Sequence, residues 1–202
     1  MRQLYRRITA TVFWVAAALS TQAADAADDP MTFLRESVEE VMRIVYDEPD
    51  PGTRLSERLY PVLRDRFDLA GITRRAVGRP WLKFTPEQRE KAVELFSTLV
   101  LRTYADRFEP KHRPKIDYGQ PVQLNETRWE LPTQVEYEGK TYAVAYRVQR
   151  GRDGWRVYDV IIEGVSMVGN YRAQFAAILQ KGGAVALLDA LAANIAKGGQ
   201  SS

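Results

Sequence analysis

The chain has 202 residues, of which 45% are hydrophobic and 27% are charged. This length and balance fit one globular domain with a sizeable core, and the absence of cysteine excludes disulfides, a thiol nucleophile and a thiolate metal site. The formal charge of +3 falls to +1 without residues 1–26, which leaves 26 basic against 25 acidic residues. A nearly neutral chain argues against nucleic-acid binding, which depends on neutralising phosphates.

Residues 1–26 have the three-part layout of a secretory signal peptide. Three arginines precede the apolar run 8–19, and a small, alanine-rich stretch follows it. The apolar run is shorter than the roughly 20 residues that a membrane span needs. We therefore expect Sec-dependent export, cleavage near Ala23 to Ala26, and a single domain formed by residues 27–202.

Hydrophobic residues at helical spacing predict four helices in the first half of the chain, over residues 31–46, 54–67, 68–77 and 85–108. The last is the best defined. Thr85 can cap it, Pro86 suits its first position, and Gln88 can close a capping box. Its apolar stripe consists of Val93, Phe96, Leu99, Val100, Tyr104 and Phe108.

The pattern then changes to strands, predicted over residues 115–122, 131–138, 140–150 and 155–163. Short turns at residues 138–140 and 151–154 join the last three as hairpins. Two further helices are predicted over residues 167–180 and 184–196, separated by Gly182 and Gly183. Helices, then an antiparallel meander, then helices indicate an α+β fold with a sheet of about four strands.

Candidate catalytic groups are few. His112 is the only histidine, so a zinc site or a histidine-based nucleophile arrangement is not expected. Asp159 and Glu163 lie four residues apart on a predicted strand and could share a face. A carboxylate beside Tyr158 could then act as general base in a cone-shaped α+β isomerase or dehydratase. Such groups more commonly satisfy hydrogen bonds at strand ends and cap the next helix.

Basic residues cluster near the end of the third predicted helix. Arg74 and Arg75 are adjacent, and Arg79 follows closely. The cluster fits contact with a membrane surface or an acidic partner, and it equally fits a solvated helix face.

The stretch from Trp155 to Phe175, WRVYDVIIEGVSMVGNYRAQF, predicts a strand, a Gly-Val-Ser hinge and the start of a helix. It resembles, almost position for position, the C-terminal signature of the MlaC family, also called the toluene-tolerance family. Two other blocks resemble the family as well: residues 67–81 (FDLAGITRRAVGRPW) and residues 85–96 (TPEQREKAVELF), continuing to Leu99 and Tyr104. Pro80, before Trp81, departs from the family pattern.

The resemblance implies a curved antiparallel sheet flanked by N-terminal and C-terminal helices, which together enclose an apolar lipid pocket. It implies a periplasmic phospholipid carrier, without cofactor, metal or catalytic residue, that maintains outer-membrane lipid asymmetry. The implied partners are an inner-membrane ABC transporter with an MCE-domain subunit and an outer-membrane lipoprotein–porin complex. We expect a monomer. A hopanoid or other envelope lipid is an alternative cargo, and a non-binding adaptor of an export machine is an alternative role.

We expect the pocket between the stripe of the helix 85–108 and the sheet. Gly164 lets the chain turn sharply, and Ser166 can cap the helix that follows, so the hinge aims that helix back toward the sheet. The alternative is that the same residues form a solid core. The predicted lipid-binding residues are Trp81, Phe96, Leu99, Val100, Tyr104, Val144, Tyr146, Val160, Ile162, Val165, Met167, Val168, Tyr171 and Phe175.

Overall fold

Helices precede and follow an antiparallel sheet in this protein. The structure is a computed structural model that describes residues 29–48, 50, 52–105 and 112–198. The arrangement confirms the predicted α+β class. The predicted signal peptide lies outside the described residues, so export stays a prediction.

The described residues form five α-helices. These are α1 (Pro30–Met42), α2 (Leu55–Arg66), α3 (Leu69–Val77), α4 (Pro86–Ala105) and α5 (Met167–Gly198). A π-helical turn, Arg43–Asp47, extends α1, and a 3-10 helix, Arg79–Lys83, connects α3 to α4. The predicted helix ends differ from these by a few residues, and the C-terminal end predicted for α4, at Phe108, lies outside the described residues.

Side-chain caps explain where the helices begin. Asp29 accepts a hydrogen bond from Thr32 N at 2.8 Å at the start of α1. At α4 the capping box is confirmed, because Gln88 N donates to Thr85 Oγ1 at 3.2 Å and Thr85 N donates to Gln88 Oε1 at 3.0 Å. These bonds satisfy backbone N–H groups that the first turn of a helix leaves unpaired.

Two glycines break α5 into the two predicted halves. Gly182 (φ −153°, ψ 17°) and Gly183 (φ 61°, ψ −145°) are non-helical, which leaves the 20-residue α4 as the longest uninterrupted helix among the described residues. Leu187 and Leu191 anchor the second half in the core. By length and composition alone, α5 is the one helix in the described part of the chain that could cross a membrane.

The sheet has six strands: β1 (Lys115–Tyr118), β2 (Val122–Asn125), β3 (Arg128–Tyr137), β4 (Lys140–Gly151), β5 (Gly154–Ile162) and β6 (Val165–Ser166). Their order is β1–β3–β4–β5–β6, and β2 also pairs with β3. All these pairings are antiparallel, so the predicted meander of β3, β4 and β5 is confirmed.

The sheet has two strands more than the four predicted, and each additional strand has a local cause. The predicted strand 115–122 ends early, because Gly119 N turns to donate to Pro132 O at 2.8 Å and Pro121 has no N–H for the ladder. At the other side, Gly164 has φ 77° and reverses the chain, so that Val165 pairs back onto Ile162 as β6.

Buried residues in the described ranges form two core clusters, which meet at the corner between α2 and α3. One cluster lies among α3, α4 and α5 around Phe96, and the other lies between α1 and the sheet around Leu131 and Val148. Phe67 packs against both. Because Phe67 bridges to Val157 and Asp68 N donates to Val157 O at 2.9 Å, the α2–α3 corner is fixed against β5.

Candidate functional site

A cavity of about 170 Å³ lies where α2, α3 and α4 face β5. Its walls come from helices on one side and the sheet on the other, with the first residue of α5 closing one corner. The residues that line it are Leu63, Phe67, Leu69, Ile72, Phe96, Ser97, Val100, Leu101, Tyr104, Val160, Ile162 and Met167.

Backbone periodicity brings these residues to one place. On α4 the lining positions 96, 97, 100, 101 and 104 follow helical spacing, so they form one face. On β5, positions 160 and 162 are two apart and therefore lie on one side of the strand. The α2–α3 corner, fixed against β5, brings in Phe67 and Leu69.

The lining chemistry suits an apolar ligand. Apart from the hydroxyl groups of Ser97 and Tyr104, the lining side chains are hydrocarbon or thioether, and none carries a charge. Beyond these two hydroxyl groups the lining side chains offer water no polar partner, so the wall suits an apolar occupant.

The cavity approaches the surface at the C-terminal end of α4. Tyr104 is 36% exposed, while the other lining residues are buried or half-buried. Ile162, another lining residue, pairs with Val165, which is 60% exposed. Tyr104 and Val165 are the exposed residues on or next to the lining, and we name them the rim.

The structure brings six of the predicted site residues together in the cavity wall. These are Phe96, Val100, Tyr104, Val160, Ile162 and Met167. Whether they contact a lipid stays a prediction.

The other eight predicted residues lie elsewhere. The rings of Tyr171 and Phe175 pack edge-on against Phe96 with centroids 4.8 and 5.1 Å away, and therefore support the wall from behind. Trp81, Leu99 and Val168 pack in the same helical core cluster. Val144 and Tyr146 lie on β4, paired with Ile162 and Val160, and Val165 is at the rim.

Sequence reasoning missed half of the wall: Leu63, Phe67, Leu69, Ile72, Ser97 and Leu101. Ser97 and Leu101 lie beside predicted positions of the α4 stripe, so a wider stripe would have included them. Phe67 and Leu69 lie in the block FDLAG that carries the family resemblance. Their approach to β5 is a long-range contact that local periodicity does not reveal.

Asp159 and Glu163 have structural roles. They satisfy hydrogen bonds near the end of a strand, and Asp159 caps the next helix, as the alternative to the catalytic interpretation expects. Asp159 is 5% exposed and accepts hydrogen bonds from Ser166 Oγ at 2.6 Å and Val168 N at 3.1 Å, and the guanidinium of Arg147 lies 3.8 Å from it. Glu163 lies beyond the end of β5 and accepts from Ala143 N at 2.5 Å. The two carboxylates are therefore engaged separately, and neither lines the cavity.

His112 is on the surface. Its Nδ1 lies 3.8 Å from the carboxylate of Glu138, and both side chains are more than half exposed. Across the described ranges, no three His, Cys, Asp or Glu residues group closely enough to hold a metal ion.

The fold and cavity define an α+β domain whose candidate site is an apolar cavity with no converging acid–base set. The chain belongs to the MlaC protein family, whose model matches residues 35–193. It is similar to the solved structure of a phospholipid-binding protein from Ralstonia solanacearum in complex with a phospholipid, with 27% identity and a TM-score of 0.79. That similarity covers 85% of this chain and 99% of the relative. No curated protein matches the chain.

Proposed function

We propose that this protein is a phospholipid carrier that holds acyl chains in the cavity beneath α4. The observation that carries the proposal is the uncharged cavity of about 170 Å³, in a fold whose 27%-identical relative was solved with a phospholipid. A carrier is needed because each CH₂ group moved from apolar surroundings into water costs about 0.8 kcal/mol.

The cavity size bears on how a lipid enters. A cavity of about 150 Å³ is enough for a benzene-sized molecule, so two full acyl chains require a larger cavity than the 170 Å³ of this structure. The headgroup then stays outside, beside the rim.

Family membership and the N-terminal sequence support a wider role for this carrier. The carrier works in the periplasm as a monomer. It passes lipid between an inner-membrane ABC transporter with an MCE-domain subunit and an outer-membrane lipoprotein–porin complex, and so maintains outer-membrane lipid asymmetry. It is not an enzyme. N-terminal sequencing of protein from the periplasmic fraction tests the location, with an expected first residue between Ala24 and Asp28.

Mass spectrometry of lipids extracted from freshly purified protein tests the binding proposal. Co-purified phospholipid supports it. A hopanoid or another envelope lipid in its place would keep the carrier role and change the cargo. Protein that carries no lipid, and takes none up from phospholipid vesicles, would contradict the proposal.

A further inference from the structure

A surface patch at the N-terminal end of α4 is separate from the cavity. The 3-10 helix Arg79–Lys83 presents Leu82, which is 81% exposed, the largest fraction among the exposed large hydrophobic residues described. The residues around Leu82 are anchored inward. The ring of Trp81 packs against that of Phe84 with centroids 5.6 Å apart, and Phe84 is 4% exposed.

The turn that carries Leu82 is closed by backbone hydrogen bonds. Trp81 N donates to Gly78 O at 3.1 Å, and Phe84 N donates to Trp81 O at 3.2 Å. Gly78 has φ 72°, a conformation that other residues rarely adopt. Leu82 is therefore held outward by a closed turn, and the core holds the aromatic residues on either side of it.

Basic residues are frequent in the sequence on both sides of Leu82. From residue 74 to residue 89 the chain has five basic residues and one acidic residue. Arg172, on α5, joins them, since its guanidinium lies against Gly78. Arg74, Arg79, Lys83 and Arg172 are exposed, and none of them forms an ion pair with another described residue. These four exposed side chains give the patch its positive charge.

We propose that this basic–apolar patch, formed by Arg74, Arg79, Leu82, Lys83 and Arg172, docks the protein on an anionic lipid bilayer. A bilayer interface takes up a protruding leucine without needing a matching pocket, while basic side chains around it meet lipid phosphates. A stable protein partner instead covers about 800 Å² of surface with an uncharged centre. One exposed leucine with basic residues on the same 3-10 helix fits the bilayer.

The position of the patch separates docking from lipid exchange. Arg79, Leu82 and Lys83 of the patch directly precede the N-terminus of α4, and Tyr104, at the exposed end of the cavity, lies near its C-terminus. A helix of 20 residues spans about 30 Å at 1.5 Å per residue. The patch therefore holds the protein at the membrane while the exposed end of the cavity stays available to another protein.

Vesicle flotation tests the proposal with protein recovered from the periplasmic fraction. The probes are vesicles of phosphatidylcholine alone and of phosphatidylcholine with an equal part of phosphatidylglycerol, at low and high salt. The variants are Leu82→Ser and the double change Arg79→Gln with Lys83→Gln. Val185→Ser, at a residue that is 61% exposed on α5, is the matched apolar control. The matched charge control is Arg152→Gln, in the turn between β4 and β5, combined with Lys140→Gln at the start of β4.

The wild type should float with the anionic vesicles at low salt and not with the neutral ones. Leu82→Ser should weaken binding about tenfold, and the double charge change about 25-fold, from roughly fivefold per cation, while both controls bind as the wild type does. The proposal is overturned if the wild type stays unbound, or if the patch variants float equally well. Capture of an acidic protein through the patch without vesicle binding also overturns it. Co-purified lipid should not change in the patch variants, so loss of cavity binding and loss of docking are separate results.

Discussion

The buried carboxylate of Asp159 accepts a hydrogen bond from the hydroxyl of Ser166 at 2.6 Å, across the turn that reverses the chain after β5. Its second oxygen accepts from Val168 N at 3.1 Å, and Ser166 Oγ in turn accepts from Gly169 N at 2.9 Å. Asp159 and Ser166 together thus cap the first turn of α5. Since Met167 is in that turn and lines the cavity, the pair also sets one corner of the cavity wall.

Replacing Asp159 should therefore reduce stability and, indirectly, lipid retention. Asp159→Ala removes a helix cap and leaves buried donors unpaired, so we expect the free energy of unfolding to fall by about 2–4 kcal/mol. Asp159→Asn keeps an acceptor oxygen, and lipid binding should survive wherever the fold does. Urea denaturation measures both variants, with the exposed Asp153→Ala as control. Equal stability of Asp159→Ala and Asp153→Ala would contradict the capping role.

A tryptophan placed in the cavity should compete with lipid. Val100 lines the cavity, so in Val100→Trp the indole ring occupies space otherwise filled by an acyl chain. We expect less co-purified lipid per folded molecule, with no fall in the melting temperature of delipidated protein. The readouts are phosphate analysis of extracted lipid and thermal melting.

Leu99 provides the matched control for this substitution. It is adjacent to Val100 and, like Val100, packs against the helical core cluster, but it does not line the cavity. Leu99→Trp should overpack that cluster and destabilise the protein by about 1–3 kcal/mol. If Val100→Trp proves as destabilising as Leu99→Trp, with lipid per folded molecule unchanged, the lipid is bound elsewhere.

Loading with phospholipid should raise the melting temperature of the wild-type protein. A ligand that binds only the folded state stabilises it by mass action, by about 2.7 kcal/mol at a hundredfold excess over Kd. The measurement compares delipidated protein before and after incubation with phospholipid vesicles. Val100→Trp should show a smaller rise, and an equal rise in both proteins would argue against the cavity as the binding site.

Alkaline pH should weaken the fold through Tyr146. Burial in the sheet core, with a smaller contribution from the neighbouring Tyr118, raises the pKa of Tyr146 from 10.0 to about 12. Because the pKa of Tyr146 is higher in the folded state than in the unfolded state, its contribution to the free energy of unfolding is complete below pH 10. That contribution is lost as the pH rises toward 12. The free energy of unfolding should fall over this range, and less so in Tyr146→Phe. Tyr142→Phe, at an exposed position of the same strand, should behave as the wild type.

The surface candidates for catalysis should prove dispensable for lipid binding. His112 is exposed, and Glu163 binds the backbone of β4 through Ala143. His112→Ala and Glu163→Gln should therefore retain lipid at the wild-type level. If either change abolished a measurable turnover while circular dichroism and thermal melting stayed normal, the result would favour an enzyme over a carrier.

Local sequence was sufficient to predict the helices, the meander and the capping of α4, because each depends on residues close together in the chain. Thr85 and Gln88 are three apart, and the turn at Glu138 and Gly139 joins strands that follow directly. The same locality explains why the faces of α4 and β5 were predicted in part, since spacing alone sets which residues share a face.

The tertiary structure decided which of those faces surrounds a cavity. Phe67 and Leu69 reach it only because the α2–α3 corner is bonded to Val157, some 90 residues further along the chain. Periodicity cannot distinguish a residue that lines a cavity from one that packs behind it, since both are apolar and lie on the inner face. Phe96 and Phe175 were therefore predicted alike from the sequence, and only their packing shows that the first lines the cavity wall and the second supports it.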